Sequence, residues 1–263
     1  MNAWNAVAVV PDGARRMLSP MHTMGRRAVG LGLGAVLVTH CAPTSATADA
    51  GTRSGARRLR ILCLHGYHGS AAVLRRQLAT WDAELASVAE LVYLDAPSLA
   101  AGDFGWWHAT DAESDPSSGD PGVTGPHRHY KGWTRTRAAI VAAFEKLGPF
   151  DGVLGFSQGA ALTGLLVGLR APSGPLRFDF AIMLSGFASN DRELARLYDE
   201  RDAYDLPSLH VIGRADGVVA NEDTLRLAGH FRSPIVLEHR GGHVVPNAPS
   251  EIARVREWLQ RRA

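Results

Sequence analysis

The chain has 263 residues, 46% hydrophobic and 21% charged, a balance that excludes a disordered or fibrous protein and suits one α/β domain with an extension. The formal net charge is only +2, and the arginines are scattered apart from Arg57, Arg58 and Arg60, so composition gives no basis for nucleic-acid binding. Two cysteines, Cys41 and Cys63, exclude a disulfide framework, and the apolar run around Cys63 suits a buried free thiol.

In chain order, residues 1–56 come first. They are rich in Ala, Gly, Ser and Thr, with Asp12 and Asp49 as their acids. Arg26 and Arg27 precede the apolar or glycine run Ala28–Val38, and Ala46-Thr47-Ala48 follows it. A basic stretch, a short apolar run and an A-x-A site are the parts of a secretory signal. The run falls short of the ~20 residues a spanning helix needs, so no stable membrane span is expected. It opens late unless translation begins at Met21 or Met24, and an Arg-rich, acid-poor segment suits an organelle transit sequence equally well. His40 fits a lipoprotein cleavage site before Cys41 poorly. The expectation is a secreted or organelle-targeted protein; the rival is a disordered tail on a cytoplasmic one. Gly30-Leu31-Gly32-Leu33-Gly34 lacks both the spacing and the preceding strand of a nucleotide loop.

From residue 57 to 263 short apolar runs alternate with helical patterns. Leu59–Leu64 reads as a buried strand, and Ala71–Val88 as a helix with Leu74, Leu78, Trp81 and Leu85 on one face. Leu91–Leu94 is a strand, and 96–131 a long Gly-, Pro-, Ser- and Asp-rich loop. Thr134–Leu147 reads as a helix stopped by Gly148-Pro149. Strand Gly152–Phe156, helix Gln158–Leu169, strand Phe180–Leu184 and helix Arg192–Glu200 follow. Strand Leu209–Ile212, helix Glu222–His230, strand Ile235–Glu238 and helix Glu251–Arg261 complete the pattern. This alternation predicts a mostly parallel sheet covered by helices on both faces, without a large cap domain.

The most specific local pattern is Gly155-Phe156-Ser157-Gln158-Gly159, a G-x-S-x-G nucleophile elbow between a strand and a helix. Chain order on such a fold runs serine, acid, histidine, and active groups sit at the carboxyl ends of strands. His243 lies just past the last strand, where Gly241 and Gly242 let the chain bend back; His239 at the strand's end is the weaker candidate. Asp216 follows the strand Leu209–Ile212, whereas Asp151 and Asp179 lie at amino ends and Asp223 falls in the next helix's first turn. A serine hydroxyl needs an imidazole to take its proton, and the carboxylate orients that imidazole. His65-Gly66-Tyr67 follows the first strand, so the backbone amides of Tyr67 and Gln158 are the expected oxyanion-hole donors. Trp106, Trp107, Tyr130 and Trp133 are candidates for an acyl-binding wall, with packing of the loop onto the sheet as the equal alternative. His127 and His129 form H-x-H without acidic or cysteine partners nearby, which is no basis for a metal site.

Leu62-Cys63-Leu64-His65-Gly66-Tyr67, Leu94-Asp95-Ala96-Pro97, the run from Gly148-Pro149-Phe150-Asp151-Gly152 to Gly159-Ala160-Ala161, and Gly241-Gly242-His243-Val244-Val245-Pro246 resemble the FSH family of serine hydrolases. The resemblance spans about residues 59–260. It implies a compact α/β-hydrolase with a triad at Ser157, Asp216 and His243, no metal and no organic cofactor. It also implies carboxylesterase or thioesterase activity on small-molecule acyl substrates through an acyl-enzyme. An acyltransferase and a catalytically silent binding protein are the alternatives on the same scaffold. Acyl length, leaving group and oligomeric state are not legible.

Overall fold

The computed structural model describes residues 57–97, 105–111, 128–171, 173–199 and 202–263. The N-terminal extension and His127 lie outside them. Six parallel strands form the main sheet: β1 (Leu59–Leu64), β2 (Ala89–Leu94), β5 (Gly152–Phe156), β6 (Phe180–Leu184), β7 (Ser208–Gly213) and β8 (Ile235–His239). Their order is β2-β1-β5-β6-β7-β8. The sheet therefore grows in opposite directions from the β1–β5 pair, where Leu64 lies beside Gly155. Loops leaving two such strands diverge, which opens a crevice at their carboxyl ends.

Both faces of the sheet are buried, as an all-parallel arrangement requires. Alternate residues of one strand serve opposite cores. Leu62, Leu64, Val153, Ala181 and Met183 join one core, while Ile61, Cys63, Leu154, Phe156 and Ile182 join the other. The first core is covered by α3 (Trp133–Leu147), α4 (Gln158–Leu169) and α5 (Arg192–Asp199), with Leu227 of α6 (Asn221–Gly229). The second is covered by α1 (Ala71–Gln77), α2 (Ala79–Leu85) and α7 (Pro249–Gln260). Helix α4 is apolar on nearly every side and buried over Gln158–Gly168, as a helix enclosed by other elements must be.

Two sequence expectations are corrected. The helix expected over Ala71–Val88 breaks at Leu78 (φ −95°, ψ 10°) and ends at Leu85. The 4-3-4 spacing of Leu74, Leu78, Trp81 and Leu85 survives the break, and all four remain buried. Burying such side chains contributes about 1.5–3 kcal/mol each, more than the hydrogen bonds lost at one joint. The segment 96–131 also is not wholly irregular: β3 (His108–Asp111) and β4 (Arg128–Lys131) pair antiparallel, with Ala109 opposite Tyr130. This ribbon is held from a distant part of the chain. The Arg128 amide donates to the Asn190 carbonyl (3.0 Å) and the Tyr130 amide to Asp191 Oδ2 (2.8 Å). Among the described residues no helix is long and apolar enough to cross a membrane.

Candidate active site

Four strand ends meet at one edge of the sheet: the segments after β1, β5, β7 and β8 bring His65-Gly66-Tyr67, Ser157, Asp216 and His243 together. Ser157 has φ 55° and ψ −118°, a backbone conformation rare outside glycine. Its neighbours explain how the turn survives. A Cβ on Gly155 would fall 2.1 Å from the Gly159 carbonyl oxygen, and a Cβ on Gly159 would fall 2.1 Å from the Leu64 carbonyl oxygen. Only glycines allow α4 to start this close to β1 and β5. The Ser157 amide donates to the Leu184 carbonyl at 2.9 Å, which anchors the turn to β6.

His243 Nε2 lies 2.9 Å from Ser157 Oγ, and its Nδ1 lies 2.8 Å from Asp216 Oδ2. The second carboxylate oxygen, Oδ1, accepts the amides of Val218 and Val219, each at 2.9 Å. Burial by itself would raise the Asp216 pKa, since its side chain is 2% exposed. Hydrogen bonds from the Val219 amide, His243 and the Val218 amide, with the Ser185 hydroxyl close by, outweigh that effect and hold it below the ordinary 3.8. The carboxyl is thus an anion throughout neutral and mildly acid pH, and Nδ1 of His243 is the protonated nitrogen facing it.

The loop carrying His243 is tightly fixed. A Cβ on Gly213 would fall 2.3 Å from the Gly242 carbonyl oxygen, and the Ala215 amide donates to the Gly241 carbonyl at 3.1 Å. The Trp81 indole N–H donates to the Pro246 carbonyl at 2.7 Å, tying α2 to the same loop. The Phe156 ring lies 4.9 Å from the His243 ring, centroid to centroid.

The rival sequence candidates sit elsewhere. His239 is buried at the end of β8, where its Nδ1 accepts the Gly241 amide at 3.2 Å. Asp223 pairs with Arg226 at 2.8 Å on the exposed face of α6. His129 is exposed and lies 4.0 Å from Asp191; no metal-binding group of three His, Cys, Asp or Glu occurs among the described residues.

Ser157 opens into a cavity of about 450 Å³, also lined by Tyr67, Trp107, Tyr130 and Gln158. Trp106 and Trp133 do not line it; they face a neighbouring cavity of about 560 Å³, and Trp107 and Tyr130 line both. The partition is an aromatic stack, with Trp107 and Tyr130 centroids 4.5 Å apart and planes 10° from parallel. Phe187, Val218 and Val219 add to the apolar lining. Sequence reasoning missed these three, although Val218 and Val219 follow Asp216 by only two and three positions. It also missed Asp191, whose carboxylate accepts the Glu193 and Leu194 amides at 3.0 and 3.1 Å as well as the Tyr130 amide. The signal was present: an aspartate directly before a helix is a capping residue.

Gln158 holds more than was expected of it. As the first residue of α4 its amide has no carbonyl one turn behind it. Its side chain clamps the main chain of the tryptophan pair: Oε1 accepts the Trp106 amide and Nε2 donates to the Trp107 carbonyl, both at 2.9 Å.

A serine on a strand–helix elbow, hydrogen-bonded to an imidazole that is in turn hydrogen-bonded to a buried carboxylate, defines a serine hydrolase of the α/β-hydrolase fold. The chain belongs to the family described as Serine hydrolase (FSH1), which matches residues 54–255. It is 35% identical over 207 residues to the esterase OVCA2 of Xenopus tropicalis, covering 72% of this chain and 87% of that protein. The esterase OVCA2 of Homo sapiens is 34% identical over 216 residues, covering 73% and 91%. Among solved structures, Zea mays acyl-protein thioesterase 2 superposes with a TM-score of 0.55 at 21% identity, covering 80% of this chain and 96% of that one. That likeness shows the shared α/β-hydrolase fold.

Proposed function

We propose that the protein hydrolyses carboxylic esters or thioesters of acyl chains through an acyl-enzyme, with Ser157 as nucleophile, His243 as general base and Asp216 as the residue that orients it. The observation that carries this reading is the unbroken line from Asp216 Oδ2 through His243 to Ser157 Oγ, with both separations under 3 Å, at the mouth of a cavity. In the first step Ser157 Oγ attacks the substrate carbonyl while its proton passes to His243 Nε2. The imidazolium, stabilised by Asp216, returns that proton to the departing alcohol or thiol. Water then attacks the acyl-serine with His243 again as base. The backbone amides of Tyr67 and Gln158 stabilise the oxyanion in both steps. The esterase names of the relatives support the reaction class.

The electrostatics supply one test. Because Asp216 is held below the ordinary carboxyl range, its carboxylate is ionised at neutral and mildly acid pH. The acid limb of kcat/KM is therefore expected to have unit slope, reporting one ionisation. A depressed carboxyl contributes stability above its unfolded-state value, and that contribution disappears as pH falls through the lower folded value. A limb with a slope of two, or a melting temperature indifferent to acid below pH ~4, would contradict the ionised assignment.

A fluorophosphonate probe should label wild type at Ser157 and leave Ser157→Ala unlabelled. The substrate wall is assigned to Trp107 and Tyr130, which share the cavity with Ser157. Each acyl methylene buried there should add about 0.8 kcal/mol, roughly fourfold in kcat/KM, until the cavity is full. Trp107→Ala should flatten the rise from acetyl to medium-chain esters and leave acetyl-ester turnover largely intact. A wild type that prefers acetyl to every longer chain would refute the wall.

A further inference from the structure

We infer that His65 is a positioning residue that aims the Tyr67 amide at the reacting carbonyl. The inference rests on the assignment of that amide to the oxyanion hole. The peptide joining Gly66 to Tyr67 is trans, and a trans peptide is rigid, so its carbonyl and its N–H point in opposite directions. Whatever holds the Gly66 carbonyl therefore sets the direction of the Tyr67 N–H. Two donors hold it: the Gly69 amide at 3.0 Å and His65 Nδ1 at 2.8 Å. The loop is beside the nucleophile, since a Cβ on Gly66 would fall 3.2 Å from Ser157 Cβ.

The tautomer of His65 is determined by its partners. A carbonyl only accepts, so Nδ1 carries the proton. The Ala96 amide donates to Nε2 at 3.1 Å, so Nε2 carries the lone pair. Burial to 1% exposure further disfavours a charged ring. The residue is immobilised at its backbone too: the Trp106 indole N–H donates to the His65 carbonyl at 2.7 Å, and the two rings lie 4.9 Å apart. Trp106 is held in turn by Gln158 and by the Thr136 hydroxyl, which donates to its carbonyl. The donor amide of Gln158 and the donor amide of Tyr67 are thus braced through one buried network, and His65 is its last link before the reacting atoms.

The two ring nitrogens can be separated by substitution. In His65→Asn the side-chain amide nitrogen occupies the Nδ1 position and keeps the donor to Gly66. In His65→Gln the side chain reaches the Nε2 position, keeps an acceptor for Ala96 and loses the Nδ1 donor. With a short-chain ester as substrate, His65→Asn should retain kcat within about threefold, while His65→Gln should lose on the order of 10²-fold in kcat with KM little changed, the loss typical of one oxyanion donor. Melting curves check that both variants fold. Equal losses in the two variants, or full kcat in His65→Gln, would overturn the inference. Should neither variant fold, the wild type decides: ring-nitrogen correlation NMR should show the Nδ1–H tautomer, and an Nε2–H tautomer would overturn it. Ser157→Ala run in parallel keeps the two levels apart. If it remains active, the proposed reaction itself fails; if it is inactive and the His65 variants behave alike, only the role of His65 fails.

Discussion

Replacing Ser157 with alanine is expected to lower kcat by on the order of 10⁴-fold or more, and His243→Ala by a similar factor. The double variant should be little worse than either single one. The reason is geometric: Ser157 Oγ and His243 Nε2 are 2.9 Å apart and share one proton, so removing either group abolishes the same step. What survives is the rate supplied by the oxyanion-hole amides and by substrate binding, which neither substitution touches. The measurement is kcat for a chromogenic short-chain ester with all three variants at equal, active-site-independent protein concentration. Ser157→Ala retaining more than about a tenth of wild-type turnover, or losses that multiply in the double variant, would exclude the triad as a functional unit.

The second large effect is on folding. Gly159→Ala places a methyl carbon 2.1 Å from the Leu64 carbonyl oxygen and 2.6 Å from that of His65. Both obstacles are backbone, one of them on a central strand, so no side chain can rotate away. Helix α4 must lift off β1, and α4 is buried along nearly its whole length. Overpacking of this kind costs about 3 kcal/mol or more, which for a domain of this size lowers the melting temperature by roughly 6–12 °C. Gly229→Ala is the matched control. That glycine ends α6 with open space where its Cβ would be, so alanine there should be neutral or stabilise by about 0.5–1 kcal/mol. Equal melting temperatures for the two variants would show that the close approach of α4 to β1 is not structural.

Position 159 also marks what was readable from sequence. The elbow is a local device: five consecutive residues, a strand before and a helix after, with glycines where the turn leaves no room. The strand–helix alternation was equally legible, because short apolar runs and the 3.6-residue helical period are written into neighbouring residues. Observed boundaries mostly fall within a residue or two of expectation; Trp133–Leu147 replaces Thr134–Leu147, and Ser208–Gly213 replaces Leu209–Ile212. Asp216 and His243 were reachable through topology, since parallel strands deliver their carboxyl ends to one edge.

Which of the four aromatic candidates line the Ser157 cavity, and how the site is braced, were not legible, because both depend on partners far away in the chain. The ribbon of β3 and β4 reads His108-Ala109-Thr110-Asp111 and Arg128-His129-Tyr130-Lys131, with no apolar alternation to announce it. Its pairing is secured by Asn190 and Asp191, about sixty positions onward. Trp106 and Trp107 show the limit most directly. They are adjacent and chemically identical, so sequence alone suggests one role for both. In the folded chain Trp106 is buried with its indole on His65, while Trp107 stacks on Tyr130 and lines the cavity that holds Ser157. Sequence by itself determined the fold class, the elbow and the chain order Ser157, Asp216, His243, because those follow from local pattern and chain direction. Which tryptophan lines the cavity beside Ser157, and which histidine holds the Gly66 carbonyl, was decided only by tertiary structure. Those roles depend on which long-range hydrogen bonds satisfy each buried donor, and no stretch of neighbouring residues contains that information.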